Sequence, residues 1–135
     1  MELLKGKTAM VTGGTRGIGY AFVKVYLENG ASVALCGSRQ ETVDKALAKL
    51  KEENPDYKVI GLYPDLGNPE EVQKAVGTVK ETFGSLDILV NNAGISARDG
   101  LYDYNPDDFA KIMNLNVNAV FNCAQAAAKI MKEQG

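Results

Sequence analysis

The sequence predicts an α/β protein built on a doubly wound parallel sheet, with helices on both faces and strand order 3-2-1-4. Three observations predict it. Short apolar runs alternate with longer stretches of helical periodicity along the whole chain. Each strand-like run is followed by a segment long enough to cross over, which parallel neighbours require. A glycine-rich turn, Gly13 to Gly19, joins the first strand to the first helix. Right-handed crossovers then give the stated order. No linker, repeat or low-complexity segment interrupts the pattern, so residues 1–135 are expected to lie in one domain.

Lys7–Thr12 is the first strand, an apolar run fit for burial on both faces. Gly17–Asn29 is a helix, closed by Asn29-Gly30 as a left-handed cap. Ser32–Gly37 is the second strand. Glu41–Glu53 is an amphipathic helix with Val43, Ala46, Leu47 and Leu50 on one face, and Pro55 ends it. Lys58–Tyr63 is the third strand. Pro69–Phe83 is a helix with Asn68 as its cap and Pro69 in its first position. Leu86–Val90 is the fourth strand. Pro106–Lys132 is helical with a joint near Met113–Asn116, because Asn114, Asn116 and Asn118 are poor helix formers.

Composition narrows the function. The formal net charge is −2 and basic residues are scattered among acidic ones, which argues against nucleic acid as a partner. No apolar run is long enough for a membrane span, and no signal-peptide pattern is present. The two cysteines, Cys36 and Cys123, sit in apolar segments. They are expected to be buried thiols, and a cytoplasmic location follows from that usage. There is no histidine and no Cys-x-x-Cys, so neither a zinc site nor a Ser-His-Asp triad is expected.

The glycine turn carries the first chemical inference. Gly13 would turn the chain out of the strand, and Gly17 would let a pyrophosphate approach the backbone. Gly19 would let the helix pack closely on the sheet. The helix start offers free N–H groups and a favourable dipole to phosphate. The candidate cofactor-binding residues here are Gly13, Thr15, Arg16, Gly17, Ile18 and Gly19.

With its Thr-Gly-x-x-x-Gly-x-Gly spacing, matched by Thr12, Gly13, Gly17 and Gly19, the chain resembles the short-chain dehydrogenase/reductase family. Asn91-Asn92-Ala93-Gly94, following the fourth strand, is a second match. The resemblance implies a Rossmann-like fold, a nicotinamide dinucleotide and a small alcohol or ketone substrate. It implies that Asn92, Ala93 and Gly94 line the cofactor cleft. It also implies that Asp65 takes the adenine amino group while Leu66 packs the ring, although Asp65 equally suits an ordinary turn. Asn116, with Phe121 at the family's distance, would break the helix and support a proton relay, and it is the catalytic candidate. The likeness extends to bacterial bile-acid 3α-hydroxysteroid dehydrogenases through Thr12–Gly19, Gln40-Glu41 with Val43-Asp44, Pro64-Asp65-Leu66, Asn91–Ile95, Asn116-Val117 and Val120-Phe121-Asn122. A 3-oxoacyl-thioester reductase is the rival within the family, and a non-catalytic nucleotide-binding fragment the rival outside it.

The second strand bears on cofactor choice. An acid at its end would bind a ribose 2′-hydroxyl and repel a 2′-phosphate. Here Cys36-Gly37-Ser38-Arg39-Gln40 holds no acid before Glu41. Ser38 and Arg39, helped by Arg16, favour NADP(H), with NAD(H) the alternative. A solvated arginine ahead of a helix is the competing reading of Arg39.

The family's serine and Tyr-x-x-x-Lys pair would lie beyond a fifth strand, expected after Gly135. The stretch is therefore expected to be the cofactor-binding half of a longer enzyme, inactive alone. Tyr20 and Lys24 share the Tyr-x-x-x-Lys spacing but sit on the helix that opens at the pyrophosphate, so they are assigned a structural role. Ser96, Ala97 and Arg98 are candidates for one wall of a substrate pocket. The last helix carries Ala119, Val120, Phe121, Ala124, Ala126, Ala127, Ala128, Ile130 and Met131, more apolar surface than one sheet face covers. It is expected to form a homo-oligomer contact, with burial by further chain as the alternative.

Overall fold

A computed structural model describes residues 2–94 and 101–135. Its elements run β1 (Thr8–Val11), α1 (Gly17–Glu28), β2 (Ser32–Cys36), α2 (Gln40–Glu53), β3 (Val59–Leu62), α3 (Pro69–Phe83), β4 (Ile88–Val90), α4 (Pro106–Met113), a π-helical turn (Asn114–Asn118) and α5 (Ala119–Gln134). The sheet order is β3-β2-β1-β4 and every pairing is parallel, as the alternation predicts. The joint expected in the last helix is this π-helical turn, which lies slightly later than Met113–Asn116.

Side chains on each central strand alternate between two cores. Ala9, Val11, Val33 and Leu35 face α1 and α2, where they meet Val23, Leu27, Val43 and Leu50. Met10, Ala34 and Cys36 face α3 and α5, where they meet Val72, Val76, Val79, Cys123 and Ala127. Gly61 on β3 is dictated by this packing, because a methyl group there would strike the Val43 side chain. The expected apolar face of α2 is buried at Val43, Ala46 and Leu50, with Leu47 packed beside it.

Local signals end the helices where the sequence says they should. After α1, the Gly30 N–H bonds the Leu27 carbonyl (3.1 Å) and the Ala31 N–H bonds that of Tyr26 (3.0 Å). This is the Schellman pattern, with Gly30 at φ 91°. Asn68 caps α3 by accepting from Glu70 N–H at 3.0 Å, and Pro69 follows it.

The fourth strand starts two residues later than Leu86. The reason is a side chain from α5. The Gln134 amide accepts from Leu86 N–H (2.8 Å) and donates to the Leu86 carbonyl (3.0 Å), taking the backbone groups that a neighbouring strand would take. At the same end Asp87 Oδ2 accepts from the Thr8 N–H (2.9 Å) and from Ser85 Oγ (3.1 Å), tying β4 to the start of β1.

Both cysteines are buried and free. Burial pushes the Cys36 thiol up to about 12, with Cys123 beside it adding to the shift, and pushes Cys123 up to about 11. The neutral thiols therefore favour the folded state below their ordinary values near 9, and that contribution is lost as pH rises toward 11 to 12. Thiolate is the reactive form. At pH 8, iodoacetamide should label Cys36 and Cys123 far more slowly in native than in denatured protein, read peptide by peptide by mass spectrometry. Equal rates would contradict the burial.

Candidate functional site

Thr12 follows β1 directly, with its side chain turned toward β4. Its hydroxyl oxygen accepts from Asn92 N–H and Ala93 N–H, both at 3.0 Å, and donates to the Val90 carbonyl at 3.3 Å. Asn92 returns the contact by donating Nδ2–H to the Gly13 carbonyl at 3.1 Å. On the other side, Gly14 N–H bonds the Cys36 carbonyl at 2.9 Å, and Gly37 N–H bonds that of Leu62 at 3.0 Å. The carboxyl ends of all four strands are thereby fixed to one another. They open into one cavity of about 680 Å³, within the range of small-molecule sites.

Gly13, Thr15, Arg16 and Gly17 form the floor of this cavity beside α1. Cys36, Gly37 and Ser38 border it at the end of β2, and Tyr63, Pro64, Asp65, Leu66 and Glu71 form a wall beyond β3. Asn92, Ala93, Gly94 and Leu115 close the opposite side. The loop prepares the site for an anion. Gly13 and Gly17 take φ 63° and 59°, which favours glycine. No side chain caps the start of α1, and its first turn holds no acid, so the leading N–H groups are not neutralised by the helix itself. Among the described residues a methyl group on Gly17 would meet nothing within 4 Å, whereas one on Gly19 would strike the Gly13 carbonyl and lie 2.5 Å from Asn92 Nδ2. Gly17 thus leaves open space above the loop, and Gly19 lets the helix seat beneath it.

The wall beyond β3 is ordered by several bonds. Asp65 Oδ1 accepts from Gly67 N–H (3.0 Å), and Glu71 Oε1 accepts from Asp65 N–H (3.2 Å). Asn122 on α5 donates to the Leu66 carbonyl at 3.0 Å. Leu66 is buried and joins the core under α3 and α5.

The remaining candidates stand outside the cavity wall. Gly19 is buried below it, and Ile18 is 71 % exposed on α1. Arg39 stands exposed in extended backbone just before α2, next to Ser38. Asn116 is in the π-helical turn, its Oδ1 3.2 Å from where a Gly94 Cβ would stand, so it sits against the Asn92–Gly94 side. Ile95, Ser96, Ala97 and Arg98 lie outside the described residues.

Tyr20 and Lys24 sit on the α2 side of α1. The Lys49 ammonium is 5.1 Å from the Tyr20 ring centroid, and Lys24 pairs with Glu53 at 3.5 Å. Desolvation, reinforced by Glu53, raises the Tyr20 pKa. A tyrosine meant to exchange protons near neutrality needs the opposite shift. Sequence reasoning overlooked Tyr63 and Glu71, which carry no motif, and the hydrogen bonds made by Thr12, Asn114, Asn118 and Asn122. The run of asparagines four apart was the available signal for the last three.

The chain is similar to known proteins in sequence and in fold. Residues 7–135 match the family described as short chain dehydrogenase. A 3alpha-hydroxysteroid dehydrogenase from Mediterraneibacter gnavus is 62% identical over 133 residues, covering 98% of this chain and 53% of that protein. A tropinone reductase homolog from Datura stramonium is 37% identical, covering 98% and 49%. A short chain dehydrogenase from Burkholderia cenocepacia, solved in complex with NADP, superposes with TM-score 0.86 at 42% identity, covering 94% of this chain and 51% of its own. A putative short-chain dehydrogenase from Novosphingobium aromaticivorans superposes with TM-score 0.93 at 33% identity, covering 99% and 48%. The chain spans about half the length of the relatives it matches.

The two helix-start glycines should separate in stability. Gly17→Ala meets only the left-handed backbone penalty, roughly 1–2 kcal/mol. Gly19→Ala should cost clearly more, because the Gly13 backbone must move. Denaturant unfolding of the two variants checks this, and equal losses would contradict the packing described.

Proposed function

Because the chain belongs to the short chain dehydrogenase family, we propose that it is the cofactor-binding part of an NAD(P)-dependent oxidoreductase acting on a secondary alcohol or ketone of the hydroxysteroid class. The observation that carries the cofactor reading is the cavity where the glycine turn, the end of β2, the Asp65–Leu66 wall and Asn92–Gly94 meet. Its residues suit a dinucleotide. The open space at Gly17 and the uncapped start of α1 accept the pyrophosphate. Asp65 and Leu66 receive the adenine, and Ala93 and Gly94 give the nicotinamide side a close, small-residue wall. The cofactor, when bound, supplies or accepts a hydride at its nicotinamide ring. The chain's own part is to hold and aim that ring, with Asn116 beside Gly94 supporting proton movement.

NADP(H) is the favoured cofactor. Gly37 and Ser38 border the cavity where an acid would repel a 2′-phosphate, and Arg16 on its floor and Arg39 beside Ser38 supply positive charge. The substrate class rests on the 62% identical relative from Mediterraneibacter gnavus. On this reading a serine and a Tyr-x-x-x-Lys outside these 135 residues would act on the substrate, and the stretch alone should bind cofactor without turnover. The proposed setting is cytoplasmic.

The test uses the full-length protein. It should oxidise a 3α-hydroxysteroid with NADP⁺, and Arg39→Asp should weaken NADP(H) binding more than NAD(H) binding in calorimetry. Turnover of 3-oxoacyl thioesters instead would move the substrate class, and equal losses would remove Arg39 from the 2′-phosphate site.

The same reading includes a homo-oligomer formed through the last helical segment. Val117, Val120 and Phe121 project to solvent there, with Phe121 62% exposed, while Ala119, Cys123, Ala126 and Ala127 are buried. Phe121→Glu in the full-length protein should lower the mass seen by sedimentation equilibrium. An unchanged mass would place the contact elsewhere.

A further inference from the structure

The wall formed by Asp65 and Leu66 is bound to the helical segment that carries Asn116. Three asparagines make the connection. Asn118 Nδ2 donates to Asn114 Oδ1 at 3.1 Å, inside the π-helical turn. The Asn114 side chain lies directly over Gly67, so closely that a methyl group on Gly67 would overlap it. One turn further on, Asn122 Nδ2 donates to the Leu66 carbonyl at 3.0 Å. Positions 114, 118 and 122 are spaced four apart and share one helix face. Asn116 stands on the same π-helical turn, against Gly94.

The bonds on this wall differ in exposure. Those from Asp65 N–H to Glu71 and from Gly67 N–H to Asp65 lie at the surface. The Asn122 bond is partly buried. A carbonyl withdrawn from water needs its partner more than an exposed one does. Leu66 itself is buried at the junction of α3 and α5, so rotation of its peptide would disturb Asp65 on one side and Gly67 on the other.

We propose that Asn122 is a positioning residue for adenine recognition, holding the Leu66 peptide so that Asp65 and Leu66 face the base. The proposal rests on the reading of this wall as the adenine seat. Gly67 is part of the device, since only glycine lets Asn114 close over the loop. Asn122 is not among the residues lining the cavity and acts through Leu66.

The experiment measures binding to the full-length protein with two probes, 5′-AMP for the adenine side and nicotinamide mononucleotide for the other. Asn122→Leu keeps similar bulk and removes the donor. It should weaken 5′-AMP roughly 3–10-fold, the size of one lost hydrogen bond, and leave nicotinamide mononucleotide unchanged. Asn122→Gln, which keeps an amide donor, should recover part of the loss. If the leucine variant does not fold, Asn122→Ser, too short to reach the carbonyl, is read in its place. Asp65→Ala separates the two ideas. If it weakens 5′-AMP and the Asn122 variants do not, the positioning role is overturned and the adenine seat stands. Should Asp65→Ala leave 5′-AMP unchanged, the adenine seat is itself overturned. Equal weakening of both probes by Asn122→Leu would overturn the positioning role in favour of a general structural one.

Discussion

One hydroxyl holds the cleft together. Thr12 is buried at the end of β1, and its Oγ accepts two backbone N–H groups from a turn 80 and 81 residues further along the chain. Parallel neighbours cannot be joined by a tight hairpin, so nothing local sets the relation between the first turn and the fourth. Strand pairing fixes Val11 opposite Val90, and beyond that pair the ladder stops. Thr12 carries the registration past the end of the sheet into the two loops, and the Asn92 side chain returns it to the Gly13 carbonyl. A serine could make the same bonds. The threonine methyl adds apolar bulk at a position that is 1 % exposed.

That latch gives the glycines their separate purposes. With Gly13 held to Asn92, the start of α1 has only one place to go, and Gly19 makes it accessible by leaving room against the Gly13 carbonyl. Gly17 is different in kind. Its left-handed φ shapes the loop, but no atom of the described residues crowds it, so the space above it is available to a ligand. Gly37 and Gly61 answer to α2 instead. A side chain at Gly37 would meet Thr15 and Val43, and one at Gly61 would meet Val43. Glycines around this sheet thus have three distinct physical causes.

These causes explain what could be read from the chain. Strand order and the two cores follow from apolar periodicity and right-handed helical crossovers, which burial then enforces. The caps at Asn68 and Gly30 were legible because each satisfies backbone groups within a few residues of itself. The cavity floor was legible through the glycine spacing. The wall beyond β3 was only half legible. Asp65 and Leu66 could be named from resemblance, while Tyr63 and Glu71 join them through the turn of the chain after β3, which no spacing encodes. The late start of β4 was not legible, since it depends on a glutamine 48 residues away competing for the Leu86 backbone.

The asparagine run in the last helical segment shows how a local weakness becomes a tertiary asset. Asparagine competes with the helix for its own backbone bonds and is a poor choice for a helix interior. At Asn114–Asn118 the helix yields by one residue per turn and widens into a π-helical turn. An extra residue in a turn shifts the faces on either side of it. Here the shift lets one stretch serve two walls of the cavity, with Asn116 against Gly94 and Asn114 over Gly67. One turn beyond the widening, Asn122 continues the second face and donates to the Leu66 carbonyl. The poor helix formers thus sit where one segment reaches two walls.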